Sequence, residues 1–316
     1  TANAEYQFQI LRRELAKLAF ATALATEVVS IGQQDLVWLE TMVQTMENKY
    51  QAGQATLVEV LQLQNERAKR ATQLQTDRDR LAHDQFSLNR MLNRDAAVPW
   101  PSLELPPLAP AVAYGPKLVD YALKYEPKLQ MLRQQVKQAA AGVALTRRQR
   151  WPEVSAGVEA RNYSGDGSFR QGVLIVSMNL PWVNAGKYRS DIKREEAKVT
   201  ATEFDLADYE LTLREEVHQL TVKIDAARRE AVLYQAEILP RSQTALESAR
   251  GGWESGRNSF RDLLEVRRML LEAKLMYARA VSEQYQMLSE LVLCCGIGDL
   301  EALQMLGSKS SSQPDK

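Results

Sequence analysis

The sequence is short of the residues on which most chemistry depends. Only two cysteines occur, and they are neighbours, Cys294 and Cys295. Adjacent cysteines seldom satisfy the Cα separation a disulfide needs, so they supply neither a disulfide framework nor zinc-ligand spacing. They read as a small apolar pair near a helix end. Histidine is as scarce, with His83 and His218 the two present. Both sit in helical stretches without a histidine or cysteine three or four residues away, so they are expected to be solvated or interfacial. No phosphate-cradling glycine loop and no nucleophile elbow is found. No residue is therefore nominated as catalytic, cofactor-binding or metal-ligating, and the chain is not read as an enzyme.

An excess of one charge is also missing: Lys+Arg and Asp+Glu number 40 each. A strong pull toward nucleic acid is not expected from such a balance. No run of 18 or more apolar residues suggests a membrane helix, and no signal peptide opens the sequence. The expectation is a sequence that begins after any targeting segment, or within the protein.

What is present is helix composition. Residues 1–94 are rich in Ala, Leu, Gln, Glu, Arg and Lys, contain no proline, and have glycine only at Gly32 and Gly53. Six of the 11 prolines then crowd into one stretch, Pro99, Pro101, Pro106, Pro107, Pro110 and Pro116. Neither a helix nor a central strand persists through that density, so residues 95–116 read as a linker. Helix composition resumes at about Lys117 with a break at Pro127, and again from Lys187 to Leu293 with a kink expected at Pro240. Methionines such as Met42, Met46, Met269 and Met276 suit helical core filling better than soft-metal binding.

Between the helical stretches, residues 151–182 alternate. Val154, Ala156, Val158 and Ala160 share one face of a first strand, and Leu174, Val176, Met178 and Leu180 one face of a second. Ser164, Gly165, Asp166 and Gly167 make the turn. Trp151, Tyr163, Phe169 and Trp182 flank the strands, as in an aromatic girdle at a membrane interface. The same alternation suits a surface hairpin on a soluble domain, and both readings stay open on this segment alone.

A duplicated turn is the most informative pattern. Tyr50-Gln51-Ala52-Gly53-Gln54-Ala55-Thr56-Leu57-Val58-Glu59 and Trp253-Glu254-Ser255-Gly256-Arg257-Asn258-Ser259-Phe260-Arg261-Asp262 follow one plan. Gly53 and Gly256 suit the left-handed residue that closes a helix. Thr56 and Ser259 then cap the next helix, with Glu59 and Asp262 completing a capping box. Each turn predicts a tight antiparallel helical hairpin. After the second turn, Leu263, Leu270, Tyr277, Gln284 and Leu291 fall on one heptad line with Val266, Ala273, Ala280, Met287 and Cys294. A second line, Leu264, Leu271, Leu275, Ala278, Tyr285 and Leu288, runs beside it. Two seams let a helix pack against a neighbour on either side, although an ordinary core helix with a wide apolar face gives the same pattern.

These residues, with Glu126-Pro127-Lys128-Leu129, Trp151-Pro152 and Leu180-Pro181-Trp182-Val183-Asn184-Ala185-Gly186-Lys187, resemble the TolC family of outer-membrane efflux proteins over residues 1–296. The resemblance implies a mainly α fold of α-barrel or coiled-coil type: long antiparallel helical hairpins, one membrane β-hairpin, and internal duplication. Residues 1–94 would be a truncated first repeat with its tip near Gly53, 117–296 a second repeat with its tip near Gly256, and 297–316 a tail disordered at its end. Leu11 and Glu14 match Leu213 and Glu216, so the opening helix and hairpin of the first repeat have no counterpart here. The expectation is a piece of a longer subunit.

The resemblance further implies a homotrimer in outer-membrane lipid, reaching through the periplasm to a periplasmic adaptor and an inner-membrane pump. Gly53, Thr56, Glu59, Gly256 and Ser259 correspond to adaptor-docking tips, and Asp262 and Glu265 to acids that narrow the periplasmic gate. Asp262 also serves its capping box, and Glu265 is placed to pair with Arg261 or Arg268. A soluble coiled-coil scaffold or tether is the alternative function.

Overall fold

A computed structural model describes residues 2–96, 98–162, 169–179 and 181–296. Helices dominate it. In chain order they are α1 (Ala2–Gln51), α2 (Leu57–Met91), α3 (Pro116–Tyr125), α4 (Pro127–Arg148), α5 (Ala185–Leu233), α6 (Leu239–Glu254) and α7 (Phe260–Cys294). The strands β1 (Val154–Asn162) and β2 (Phe169–Met178) separate α4 from a short 3-10 turn at Pro181–Asn184 and from α5. The chain divides into two compact units, residues 127–212 with the first three residues, and residues 4–126 with the chain from 213 onward.

In the first unit, β1 and β2 form a two-stranded antiparallel sheet in which Val154 faces Met178, Ala156 faces Val176 and Val158 faces Leu174. The register slips between Arg161 and Asn162, a bulge at the turn end. The alternation thus places the apolar residues as the sequence predicts. α4 runs antiparallel to the start of α5, joined by Lys128 over the Tyr209 ring at 4.1 Å, Arg133 to Glu210 at 3.4 Å and Arg147 to Glu196 at 2.7 Å.

The second unit holds the core. Near the duplicated turns, Leu39, Met42, Val43 and Met46 of α1 pack with Val60 and Leu63 of α2, Ala249 of α6, and Phe260 and Leu263 of α7. Both heptad lines of α7 are occupied: Leu263, Leu270, Gln284, Leu291, Ala273, Ala280 and Cys294 are buried, as are Leu271, Ala278, Tyr285 and Leu288. One expectation is corrected. The helix Asn3–Gln51 contains an 18-residue stretch of mean hydropathy 1.5, apolar enough by length and composition to cross a membrane. Small residues raise its hydropathy without forming an unbroken apolar run, and its Thr22, Ala23, Ala25 and Ile31 are buried within this unit.

Pro240 interrupts the helix in a specific way. It has no N–H to donate and its ring crowds the preceding turn, and a single π turn at Tyr234–Ile238 relieves both. There the Leu239 N–H reaches back five residues to the Tyr234 carbonyl.

The proline-rich stretch is a packed strap. Ala109 and Val112 are buried, the Tyr285 hydroxyl donates to the Pro107 carbonyl at 2.6 Å, and Gln284 bonds the backbone of Ala109. At its start, buried Asn89 donates to the carbonyls of Ala96 and Val98 at 3.1 and 2.8 Å and accepts from Trp100 Nε1 at 2.8 Å.

Candidate functional site

Both tips have the geometry their sequences dictate. Gly53 and Gly256 each adopt φ +73°, where an L side chain is strained. The Gly53 N–H donates to Tyr50 at 2.9 Å and the Gln54 N–H to Lys49 at 2.8 Å. The second tip repeats this, Gly256 to Trp253 at 3.0 Å and Arg257 to Gly252 at 2.8 Å. These paired bonds satisfy carbonyls that a helix end otherwise leaves open. The capping boxes close the next helices: the Thr56 N–H donates to Glu59 Oε2 at 2.8 Å and the Glu59 N–H to Thr56 Oγ1 at 3.3 Å. The Ser259 N–H likewise donates to Asp262 Oδ2 at 3.1 Å, and the Asp262 N–H to Ser259 Oγ at 3.2 Å.

The tips differ in what they show to solvent. Phe260 is 2% exposed and packs on Trp253 with ring centroids 5.7 Å apart, and Lys49 Nζ lies 3.8 Å above that indole. The matching Leu57 of the first tip is exposed, with Val58 at 62% and Leu61 beside it. Asp262 and Glu265 both stand exposed on the first turns of α7, and Glu265 approaches Arg268 at 4.0 Å. Arg268 in turn reaches Glu66 of α2 at 2.5 Å.

In the first unit, the apolar hairpin face is uncovered: Val158 is 81% exposed and Leu174 72%, with Val154, Val176 and Met178 also exposed. Opposite it, Ser155 and Ser177 join hydroxyls at 2.7 Å. Trp151 is exposed at the entry. Tyr163 and the turn at 164–167 lie outside the described residues, as do the side chains of Phe169 and Trp182 and the tail from 297.

Sequence reasoning missed a buried charge cluster. Asp35 of α1, 4% exposed, meets Arg70 Nε of α2 at 2.8 Å and Arg267 Nε of α7 at 3.0 Å. A lone Asp on a helix looks like a surface residue, and its one available signal was its place on the apolar side, four residues before Leu39. His83 and His218 are exposed, and Met42 and Met46 are core, whereas Met269 is exposed. No group of three or more His, Cys, Asp or Glu suited to a metal occurs among the described residues.

A sequence model of the outer membrane efflux protein family matches residues 118–296, from α3 through the end of α7. The chain belongs to that family. Among curated relatives it is similar to the cobalt-zinc-cadmium resistance protein CzcC of Cupriavidus metallidurans, 22% identical over 174 residues, which make up 54% of this chain and 40% of that protein. The matched part thus spans less than half of this relative. Among solved structures, the fold is that of the outer-membrane channel OprN, with a TM-score of 0.82 at 18% identity over 96% of this chain and 68% of that one. The outer-membrane channel CmeC of Campylobacter jejuni gives 0.80 at 16% identity, covering 98% and 69%. The TolC-like fold read from the two tips is therefore present, and this outer membrane efflux family member is a protein of the outer membrane with a periplasmic extension.

Proposed function

We propose that this chain is a subunit of a passive outer-membrane efflux duct, with residues 151–182 as its contribution to a shared barrel. The observation that carries the reading is the exposed apolar face of β1 and β2. The strands are nine and ten residues long, the span a tilted strand needs to cross a bilayer. Alternate residues of one face are apolar and bare, as lipid contact requires, and the other face carries Ser155, Ser177 and Glu159. A soluble scaffold would cover such a face. Trp151, Tyr163, Phe169 and Trp182 are its interfacial girdle.

The duct works as a homotrimer, receiving cargo from a pump through a periplasmic adaptor that meets the tips at Gly53, Thr56, Glu59, Gly256 and Ser259. It acts as a passive conduit and performs no covalent chemistry. Residues 1–94 and 117–296 are its two repeats, tied by the strap at 95–116. Asp262 and Glu265 stand exposed at the second tip, so three copies would bring six carboxylates to one constriction, where like charges hold the passage narrow to anions and attract cations.

Conductance across a planar lipid bilayer tests the reading. Discrete, cation-preferring steps are expected, and D262A/E265A should widen them and weaken the preference. A protein that stays in water without detergent and never produces steps would overturn it.

A further inference from the structure

We propose that the cleft where α1, α2 and α7 converge is a binding site for a small multivalent oxyanion of the phosphate kind. This goes beyond the duct reading and does not depend on it. The cleft has a volume of about 300 Å³. Its wall carries four cations, Lys69, Arg70, Arg267 and Arg268, and two carboxylates, Asp35 and Glu66.

The pairing leaves positive charge over. Asp35 is shared by Arg70 and Arg267, and Glu66 is shared by Arg268 at 2.5 Å and Lys69 at 3.7 Å. Each carboxylate balances one of its two cations, which leaves two positive charges over among the lining residues, one of them offset in part by Glu265 at 4.0 Å from Arg268. Leu39, Leu264 and Leu271 wall the recess, so the inner pair Arg70 and Arg267, 23% and 17% exposed, is screened less than on an open surface.

The donors are also held ready. Arg267 lies over the Trp38 ring at 4.8 Å, which fixes the plane of its guanidinium. Arg70 and Arg267 each meet Asp35 through Nε, one of the five N–H donors in a fork whose geometry matches an oxyanion. An occupant offsets the repulsion among the four cations. Because α1 and α2 form the first hairpin and α7 belongs to the second, it also ties one hairpin to the other.

The test is titration calorimetry of the full chain in detergent with inorganic phosphate, at ionic strength held constant with chloride. One saturable site per chain is expected. R268Q, at a half-exposed side chain, should weaken binding roughly tenfold, the loss of one charge-assisted contact. K69Q, at a side chain more exposed still, carries the same test should R268Q fold poorly. E66Q removes a competing carboxylate and should tighten binding. The proposal is overturned if no saturable heat exceeds the chloride control, or if R268Q, K69Q and E66Q all bind phosphate as the unaltered protein does.

Discussion

The side-chain amide of Gln284 grips the backbone of Ala109 at both ends, accepting from its N–H at 3.1 Å and donating to its carbonyl at 2.9 Å. Both residues are buried, so α7 holds the proline-rich strap as a neighbouring strand would. Gln284→Leu keeps the volume and leaves two buried backbone groups unpaired. A loss of about 2–4 kcal/mol is expected in urea unfolding, with Tyr285→Phe costing about 1 kcal/mol through its bond to Pro107.

The tips predict an order of severity. A Cβ at Gly53 or Gly256 meets open space, so Gly53→Ala and Gly256→Ala should cost only the left-handed conformation, about 1–2 kcal/mol. Thr56→Ala and Ser259→Ala should cost about 1 kcal/mol each as lost caps. Gly296→Ala should be worse than any of them, because its Cβ would lie 2.2 Å from the Tyr125 carbonyl oxygen at φ +59°. Thermal melts of the five variants check the ranking.

Much of this was legible in the sequence because it is local. A glycine three residues before a Thr or Ser, with an acid three residues further on, specifies a helix end and a helix start without reference to the rest of the fold, and both corners formed. The apolar face of the hairpin, with Val158 opposite Leu174, followed from the alternation for the same reason, whereas the slip between Arg161 and Asn162 did not. What escaped was set by distant partners. Nothing near Asp35 announces Arg70 and Arg267, and the prolines that ruled out helix and strand at 99–116 gave no hint that Gln284 would hold that stretch in place.

Asp35→Ala should destabilise by about 3–5 kcal/mol, since it strands Arg70 and Arg267 beside each other in a partly closed cleft. Asp225→Ala, which removes an exposed one-turn pair with Arg229 at 2.8 Å, should cost under about 1 kcal/mol. Chemical denaturation of the two variants under one set of conditions makes the comparison.

Burial pushes the Cys295 thiol up to about 12, and Cys294 is raised further by burial and then by the nearby Glu216 carboxylate. The thiolate is the reactive form, so maleimide labelling at pH 8 should be negligible in the folded protein and rapid in denaturant. The sign for stability follows. With folded values above the ordinary 9.0, the contribution is fully present below pH 9 and is lost as pH climbs from about 9 toward 12. Unfolding free energy measured across that range should fall.

Spin labels placed singly along the hairpin in lipid vesicles test the membrane account most directly. Labels at Val154, Val158, Leu174 and Val176 should be relaxed by oxygen, which concentrates in lipid, and labels at Ser155, Glu159, Val173 and Ser177 by a water-soluble nickel complex, in strict alternation. Uniform exposure to the nickel complex at all eight positions would contradict a duct that meets the bilayer through this face.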